Sequence, residues 1–294
     1  MNSASFHTQV SSPATQDGIL ATAQATRRIG SVGYLNSRPL VDGLEGRADP
    51  LIRFDVPSRL LSNLESGQVD IALCPVIDYY RSHIPLQIVP VGGIGCNGPT
   101  LTVRLFSRVR PAQIQTVHAD IDSHTSITLL RIFLTKRYGI TPDFIDYDAH
   151  HLLANPPTSA PPETLLLIGD KVVTNRPTTN DYPYQLDLGE AWYNLTGLPF
   201  VFAVWMAKPD TRLGNLPTLL QSIRIENCNH IDRIVARHAE NHGWPNELAL
   251  DYLTRNLSFE IGPRQLEAIE RFGVMANDFG LIDNLRPLHL RDGL

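Results

Sequence analysis

The feature that most constrains this chain is an alternation of strand-like and helix-like segments that begins at residue 28. Apolar runs of strand type are predicted at residues 29–32, 51–56, 69–74, 86–91, 101–106, 115–119, 164–168 and 200–206. Segments with helix start and stop signals lie between several of them, at residues 37–44, 57–67, 123–139 and 187–195. Such alternation is typical of βαβ units and predicts an α/β fold with a mostly parallel sheet.

The segments group into two α/β units joined by strand-like crossings near residues 103–107 and 201–206. This grouping predicts a two-lobed clamshell, with a ligand cleft between the lobes. The first lobe is expected to hold residues 28–107 plus 201–294, including helices from residue 212 onward, and the second to hold residues 108–200. Residues 1–27 are rich in Ser, Thr, Ala and Gln, and we expect a disordered N-terminal tail without the apolar core of a signal peptide.

Composition excludes several classes of protein. The chain has 294 residues and a net charge of −5, which argues against a nucleic-acid-binding protein. Its three cysteines, Cys74, Cys96 and Cys228, form neither an even set nor a metal-type spacing, so a reducing cytoplasm is expected. No apolar run reaches the ~20 residues of a membrane span, and no membrane partner is expected.

Polar residues at predicted strand ends and helix starts are candidate ligand contacts, because small ligands bind at such edges of open α/β sheets. Asn36 follows the first strand and can hydrogen-bond a ligand, although its local pattern favours a turn residue that caps the next helix. The stretch from Ser123 through Thr125 to Ser126 can hold an anion at a helix N-terminus, or act as a plain N-cap. Asn97 and Gly98 fit either a close backbone approach to a ligand or a tight turn, and Ser58 fits mainly an N-cap.

Metal and cofactor motifs are weak. His238 and His242 lie four residues apart on a predicted helix, a spacing that can bind zinc, but no third ligand is evident nearby. Favourable placement near the C-terminal end of the helix dipole explains the pair better. The chain has neither a Walker loop nor a dinucleotide fingerprint, so we expect no metal and no cofactor.

The motifs together resemble those of the cofactor-free chorismate dehydratases of the futalosine route to menaquinone. The resemblance extends over about residues 28–280, and its matching segments are residues 34–40, 57–73, 95–99, 120–126, 168–170, 187–192 and 196–205. The last of these, from Thr196-Gly197-Leu198-Pro199-Phe200 to Trp205, is the most specific.

This resemblance implies a clamshell like that of type 2 periplasmic binding proteins, converted into a carbon–oxygen lyase. Chorismate would lose water to give 3-[(1-carboxyvinyl)oxy]benzoate. The catalytic residues would be Asn36 and Thr102. Members of the family more commonly have Ser at the position of Thr102. That change keeps the hydroxyl and adds a methyl group. Lys171-Val172 also departs from the small and apolar residues usual after Gly169-Asp170, and we expect activity to survive this second change. The expected substrate-binding residues are Ser58, Asn97, Gly98, Ser123, Thr125 and Ser126.

The motifs contain no obvious general base. Because loss of the C3 hydrogen and the C4 hydroxyl makes the ring aromatic, the protein mainly has to orient its substrate. We therefore expect a substrate carboxylate to relay the proton, positioned by Asn36 and Thr102. Two alternatives stay open, a non-catalytic small-anion solute-binding protein and the related 1,4-dihydroxy-6-naphthoate synthase. Chorismate is the expected partner, and the sequence leaves a homodimer open.

Overall fold

The computed structural model describes Met1 and residues 26–149, 161–174 and 179–291. Nearly all of the tail predicted over residues 1–27 therefore lies outside the described residues. In the part of the chain that the structure describes, no helix is long and apolar enough to cross a membrane.

Among the described residues, ten strands form two sheets of five. The strands are β1 (Arg28–Val32), β2 (Leu51–Asp55), β3 (Ile71–Pro75), β4 (Gln87–Cys96), β5 (Val103–Ser107), β6 (Thr116–Asp120), β7 (Asp143–Tyr147), β8 (Thr164–Ile168), β9 (Tyr184–Asp187) and β10 (Phe200–Ala207). The described α-helices are α1 (Arg38–Val41), α2 (Pro57–Glu65), α3 (Val76–Arg81), α4 (His124–Tyr138), α5 (Lys171–Thr174), α6 (Leu188–Thr196), α7 (Leu216–Asn229), α8 (Ile231–His238), α9 (Asn246–Asp251) and α10 (Pro263–Asp278). A 3₁₀ turn, Leu35–Ser37, precedes α1, and a π-helix, Tyr252–Asn256, follows α9.

The two sheets share one pattern. The first has the order β2-β1-β3-β10-β4 and the second the order β7-β6-β8-β5-β9. In each, the first three strands pair in parallel and the fourth is antiparallel to both of its neighbours, so four of the five strands point in the same direction. The predicted two-lobed α/β fold is confirmed. The expected mostly parallel sheet is found as two mixed sheets, each with one strand running against the other four. The fourth strand of each sheet is the one that the chain enters from the other lobe: β5 follows β4 of the first sheet, and β10 follows β9 of the second sheet after helix α6.

One strand lies in a different sheet from the one expected. The expected first lobe, residues 28–107, includes β5, but β5 pairs with β8 and β9 of the second sheet. An apolar pattern indicates that a strand is buried, but it does not identify the strands that pair with it. β10 pairs with β3 and β4 of the first sheet, as its assignment to the first lobe requires.

Local signals explain the elements nearest to the cleft. Helix α4 ends at Gly139, whose φ of 69° is the left-handed C-cap conformation that glycine adopts most readily. Helix α6 starts at Asp187, whose carboxylate accepts hydrogen bonds from the Gly189 and Glu190 amides. Behind it the rings of Trp192, Phe200 and Phe272 pack edge to face in the core.

Candidate active site

A pocket lies between the two sheets and is lined from both lobes. Its cavity volume is about 70 Å³, and the empty space in and around it, open solvent included, is about 590 Å³. The first lobe contributes Val32 and Tyr34 at the end of β1. The second contributes the residues at the start of α4 and the end of β8. The described lining is Val32, Tyr34, Asn36, Pro57, Leu73, Pro75, Ile94, Thr100, Thr102, Val103, Asp122, Ser123, His124, Thr125, Ser126, Ile168, Gly169, Phe202, Ala203, Tyr252 and Leu257.

Most of the residues selected from the sequence meet in this pocket. Those in the lining are Asn36, Thr102, Ser123, Thr125 and Ser126. Their roles in catalysis and binding stay predictions, but their convergence from separate segments of the chain is a structural fact.

Three selected residues lie outside the lining. Ser58 is the second residue of α2, beside the lining residue Pro57, and Val56 occupies the N-cap position that Ser58 was expected to fill. Asn97 is exposed. Gly98 has a φ of +114°, which favours glycine, and its carbonyl would lie 2.5 Å from a Cβ added to Gly189. The turn at these two residues thus packs against α6, and their contact with substrate stays a prediction.

Tyr252 of the π-helix lies between Asn36 and Thr102. The sequence motifs did not indicate this residue. The Thr102 and Tyr252 hydroxyl oxygens are 2.7 Å apart. Burial raises the pKa of Tyr252 well above its usual range, while hydrogen bonds with Thr102 and Asn36 act in the opposite direction. The Asn36 Oδ1 atom is buried and has no hydrogen-bond partner among the described residues. An unpartnered buried acceptor that lines a cavity is suited to accept a ligand's hydrogen.

A strained turn presents Thr102. Leu101, just before it, has a φ of 67°, a left-handed conformation that is costly for a branched side chain. The Asp187 carboxylate compensates by accepting hydrogen bonds from the Thr100 and Leu101 amides at 2.9 and 2.7 Å. The N-cap of α6 therefore also fixes the backbone next to Thr102.

The start of α4 differs from a plain helix cap. Ser123 is the N-cap residue, yet its hydroxyl makes no capping bond, is buried and has no partner among the described residues. The Thr125 hydroxyl donates to the Phe202 carbonyl at 3.2 Å and accepts from the Ile77 amide at 3.3 Å. Ser123 is thus free for a ligand, whereas Thr125 also ties α4 to the first lobe.

Charged residues form a buried cluster at the pocket's edge. Lys171 Nζ lies 2.7 Å from Asp120 Oδ2 and 3.1 Å from Asp122 Oδ2. The Tyr34 hydroxyl donates to Asp122 Oδ2 at 3.3 Å, across the lobes. Burial raises the pKa of Asp120, and the Lys171 ammonium acts against that shift. Lys171 thus replaces the expected small residue with a cation that compensates two buried acids.

With this geometry established, comparison with known proteins decides the family. A sequence model described as menaquinone biosynthesis matches residues 27–278. The chain belongs to this menaquinone biosynthesis family. It is also 25% identical over 236 residues to the chorismate dehydratase of Thermus thermophilus, a match that covers 75% of this chain and 83% of that one.

Solved structures support the fold of this family member. The periplasmic aliphatic sulphonate binding protein of Escherichia coli matches with a TM-score of 0.60 and 14% identity, covering 92% of this chain and 96% of its own. The alkanesulfonate-binding protein of Xanthomonas axonopodis pv. citri matches with a TM-score of 0.61 and 15% identity. This match covers 90% of this chain and 95% of that one. At these identities the likeness shows the two-lobed binding-protein fold alone.

In this menaquinone biosynthesis family member the histidines at zinc-like spacing face different carboxylates. His238 Nε2 lies 2.6 Å from Asp42 Oδ1, and His242 Nδ1 lies 2.8 Å from Asp170 Oδ2. Asp170 also accepts hydrogen bonds from the Leu35 amide and the Trp244 indole, so it joins the end of β8 to the first lobe. The residues that the structure describes include no group of three or more His, Cys, Asp or Glu side chains placed to hold a metal.

Proposed function

We propose that this protein is a chorismate dehydratase, a hydro-lyase of the futalosine route to menaquinone. Family membership and the dehydratase relative support this proposal. The observation that carries it is the buried, unpartnered Asn36 Oδ1 beside the Thr102–Tyr252 pair. The chorismate dianion has a single hydroxyl, on C4, and this hydroxyl is the donor that Asn36 Oδ1 lacks.

The proposed reaction removes the C3 hydrogen and the C4 hydroxyl of chorismate. The ring carboxylate acidifies the C3 hydrogen through the conjugated diene, and aromatisation supplies the driving force. Asn36 holds the C4 hydroxyl, and Thr102 orients the substrate carboxylate that takes the C3 proton. Fixing these groups in a near-attack geometry is how the pocket would lower the barrier.

The second carboxylate of chorismate needs donors of its own, because burying it without them is costly. The start of α4 offers backbone N–H groups, the positive end of the helix dipole, and the hydroxyls of Ser123 and Ser126. We place this carboxylate there. The reaction then needs no redox partner or electron sink, so we propose a cofactor-free enzyme that acts in the cytoplasm.

The test is to incubate the purified full chain with chorismate, following the benzoate chromophore by absorbance and the loss of one water by mass spectrometry. Turnover is expected, and it should survive exhaustive chelation with EDTA. Binding of chorismate in calorimetry without any dehydration would contradict the proposal and favour the solute-binding alternative. Loss of turnover in EDTA that a divalent metal restores would contradict the cofactor-free mechanism.

A further inference from the structure

A histidine and an aspartate from different lobes meet at the wall of the pocket. His124 is the first residue of α4 and lines the pocket, whereas Asp78 lies in α3 of the first lobe. His124 Nδ1 is 2.8 Å from Asp78 Oδ1. The Asp78 side chain is 1% exposed and that of His124 is 34% exposed. The carboxylate is therefore sealed in the core while the imidazole reaches the solvent-accessible cavity.

This contact sets the chemistry of the ring. With Nδ1 bound to the carboxylate, Nε2 is the nitrogen left to exchange a proton with a ligand. Burial raises the pKa of Asp78, and the hydrogen bond with His124 and the charges of His124 and Arg81 oppose that shift, while Glu65 adds to it. The His124 ring therefore opposes the effect of burial on the Asp78 carboxyl.

The other titratable side chains of the described lining are less suited to proton transfer. Tyr34 and Tyr252 have pKa values that burial raises well above their usual range, so both hold their protons near neutral pH. Asp122 is already bonded to Lys171 and Tyr34. His124 is the remaining titratable side chain in the described lining, and an imidazole ring can both accept and donate a proton.

We propose that His124 is the general acid of the elimination, giving its Nε2 proton to the departing C4 hydroxyl, and that Asp78 is its positioning residue. This inference rests on the proposed function. The C3–H bond breaks first, and its electrons are delocalised through the C1=C2 bond into the ring carboxylate. In the second step they form the C3=C4 bond as the C4–O bond breaks. The C3 proton goes to the substrate carboxylate, the hydroxyl leaves as water with the proton from Nε2, and solvent carries the carboxylate's proton back to the imidazole. Hydroxide is a poor leaving group, so a positioned acid has a large effect at this step.

Three variants test this role. His124→Gln should lower kcat by about 10²–10³-fold, in the range of lost general acid–base catalysis, and change KM by about threefold or less. His124→Ala should regain activity with added imidazole. Asp78→Asn should lower kcat by about tenfold, because it removes the charge that supports the imidazolium. The matched control is His230→Gln, since His230 pairs with exposed Glu226 outside the pocket and should keep parental kinetics.

Isotope effects separate the two proton transfers. In single turnovers with chorismate deuterated at C3, the isotope effect should fall toward 1 in His124→Gln, because C–O cleavage becomes the slow step. Asp78→Asn should shift it in the same direction, which a purely structural role would not do. A larger isotope effect in His124→Gln would assign His124 to C3 deprotonation and overturn the proposal.

The inference and the proposed function fail in different ways. If the parent dehydrates chorismate and folded His124→Gln keeps its kcat, the general-acid role is wrong while the activity stands. A rise in KM alone, or a folded His124→Ala that binds chorismate but does not respond to imidazole, would also overturn it. If the parent itself does not dehydrate chorismate, the proposed function fails first and this inference fails with it.

Discussion

The two lobes have the same strand order, but they bring opposite kinds of side chain to the pocket. Asn36 of the first lobe and Tyr252 of the C-terminal helices meet Thr102 as a neutral hydrogen-bonding group. The second lobe brings a buried charged cluster, with Lys171 between two aspartates. A shared topology therefore fixes where the polar groups lie, and the individual residues decide what those groups can do.

The difference indicates a division of labour. In the charged cluster, cation and carboxylates face one another, and Tyr34 extends the cluster across the cleft. In the neutral group, one acceptor is left over, on Asn36. Interactions that are complete within the protein contribute to stability, whereas a polar atom left unpartnered in a cavity costs stability and is available for a ligand. Stability and activity should therefore respond differently to substitutions on the two sides.

The largest effect on stability is expected in the buried charged cluster of the second lobe. Lys171→Met should lower the free energy of unfolding by about 3–5 kcal/mol, because it leaves two buried carboxylates without their cation. Urea denaturation measures this loss. Exposed Lys136 is the matched control, and Lys136→Met should stay within about 0.5 kcal/mol of the parent. A Lys171→Met loss no larger than the control's would refute a structural role for the cluster.

In the neutral group of Asn36, Thr102 and Tyr252, a substitution at Asn36 should lower activity rather than stability. Asn36→Ala should lower kcat/KM for chorismate by about 10²–10³-fold, as for other lost polar groups at a reacting centre. Its free energy of unfolding should stay close to that of the parent, because losing the hydrogen bond with Tyr252 is offset by removing a buried acceptor without a partner. Steady-state kinetics and urea denaturation of one preparation check both parts. Parental kinetics in the folded variant would show that Asn36 does not hold the substrate.

Tyr252→Phe should have an intermediate effect on both stability and kcat. Removing the hydroxyl leaves the buried Thr102 side chain without its 2.7 Å partner, so we expect a loss of about 1–2 kcal/mol in stability. We expect about a tenfold loss in kcat as well, because Thr102 and Asn36 lose a common anchor. Tyr193→Phe, at a side chain that is 41% exposed, is the control for the substitution itself. Full activity in Tyr252→Phe would show that the Tyr252 hydroxyl has no role in the reaction.

The smallest expected effects separate two neighbouring residues of α4. Ser126→Ala should weaken chorismate binding by about 1 kcal/mol, as for one lost hydrogen bond, and leave stability near the parent's. Thr125→Ala should instead cost about 1 kcal/mol of stability, because its hydroxyl bonds to the Ile77 amide and the Phe202 carbonyl. Calorimetry with chorismate and thermal denaturation distinguish the two. Equal effects on binding and stability in both variants would contradict this assignment.

Much of the architecture could be predicted from the sequence because its signals are local. The pattern of apolar runs and helix breakers indicated an α/β chain with two units, and Asp187 and Gly139 occupy the helix-end positions their residue types favour. The sheet membership of β5 could not be predicted in this way. Its apolar pattern fits either sheet, and only pairing with β8 and β9 decides between them.

For the candidate site, the sequence by itself determined which segments carry polar groups at strand ends and helix starts, among them Asn36, Thr102 and Ser123. Only the tertiary structure brought Tyr252 to Thr102 across 150 positions of chain, and Asp78 to His124 across 46. The physical reason is that hydrophobic period, caps and turn residues act over a few positions. A hydrogen bond between distant side chains depends instead on how the two lobes pack, and no local pattern records that packing.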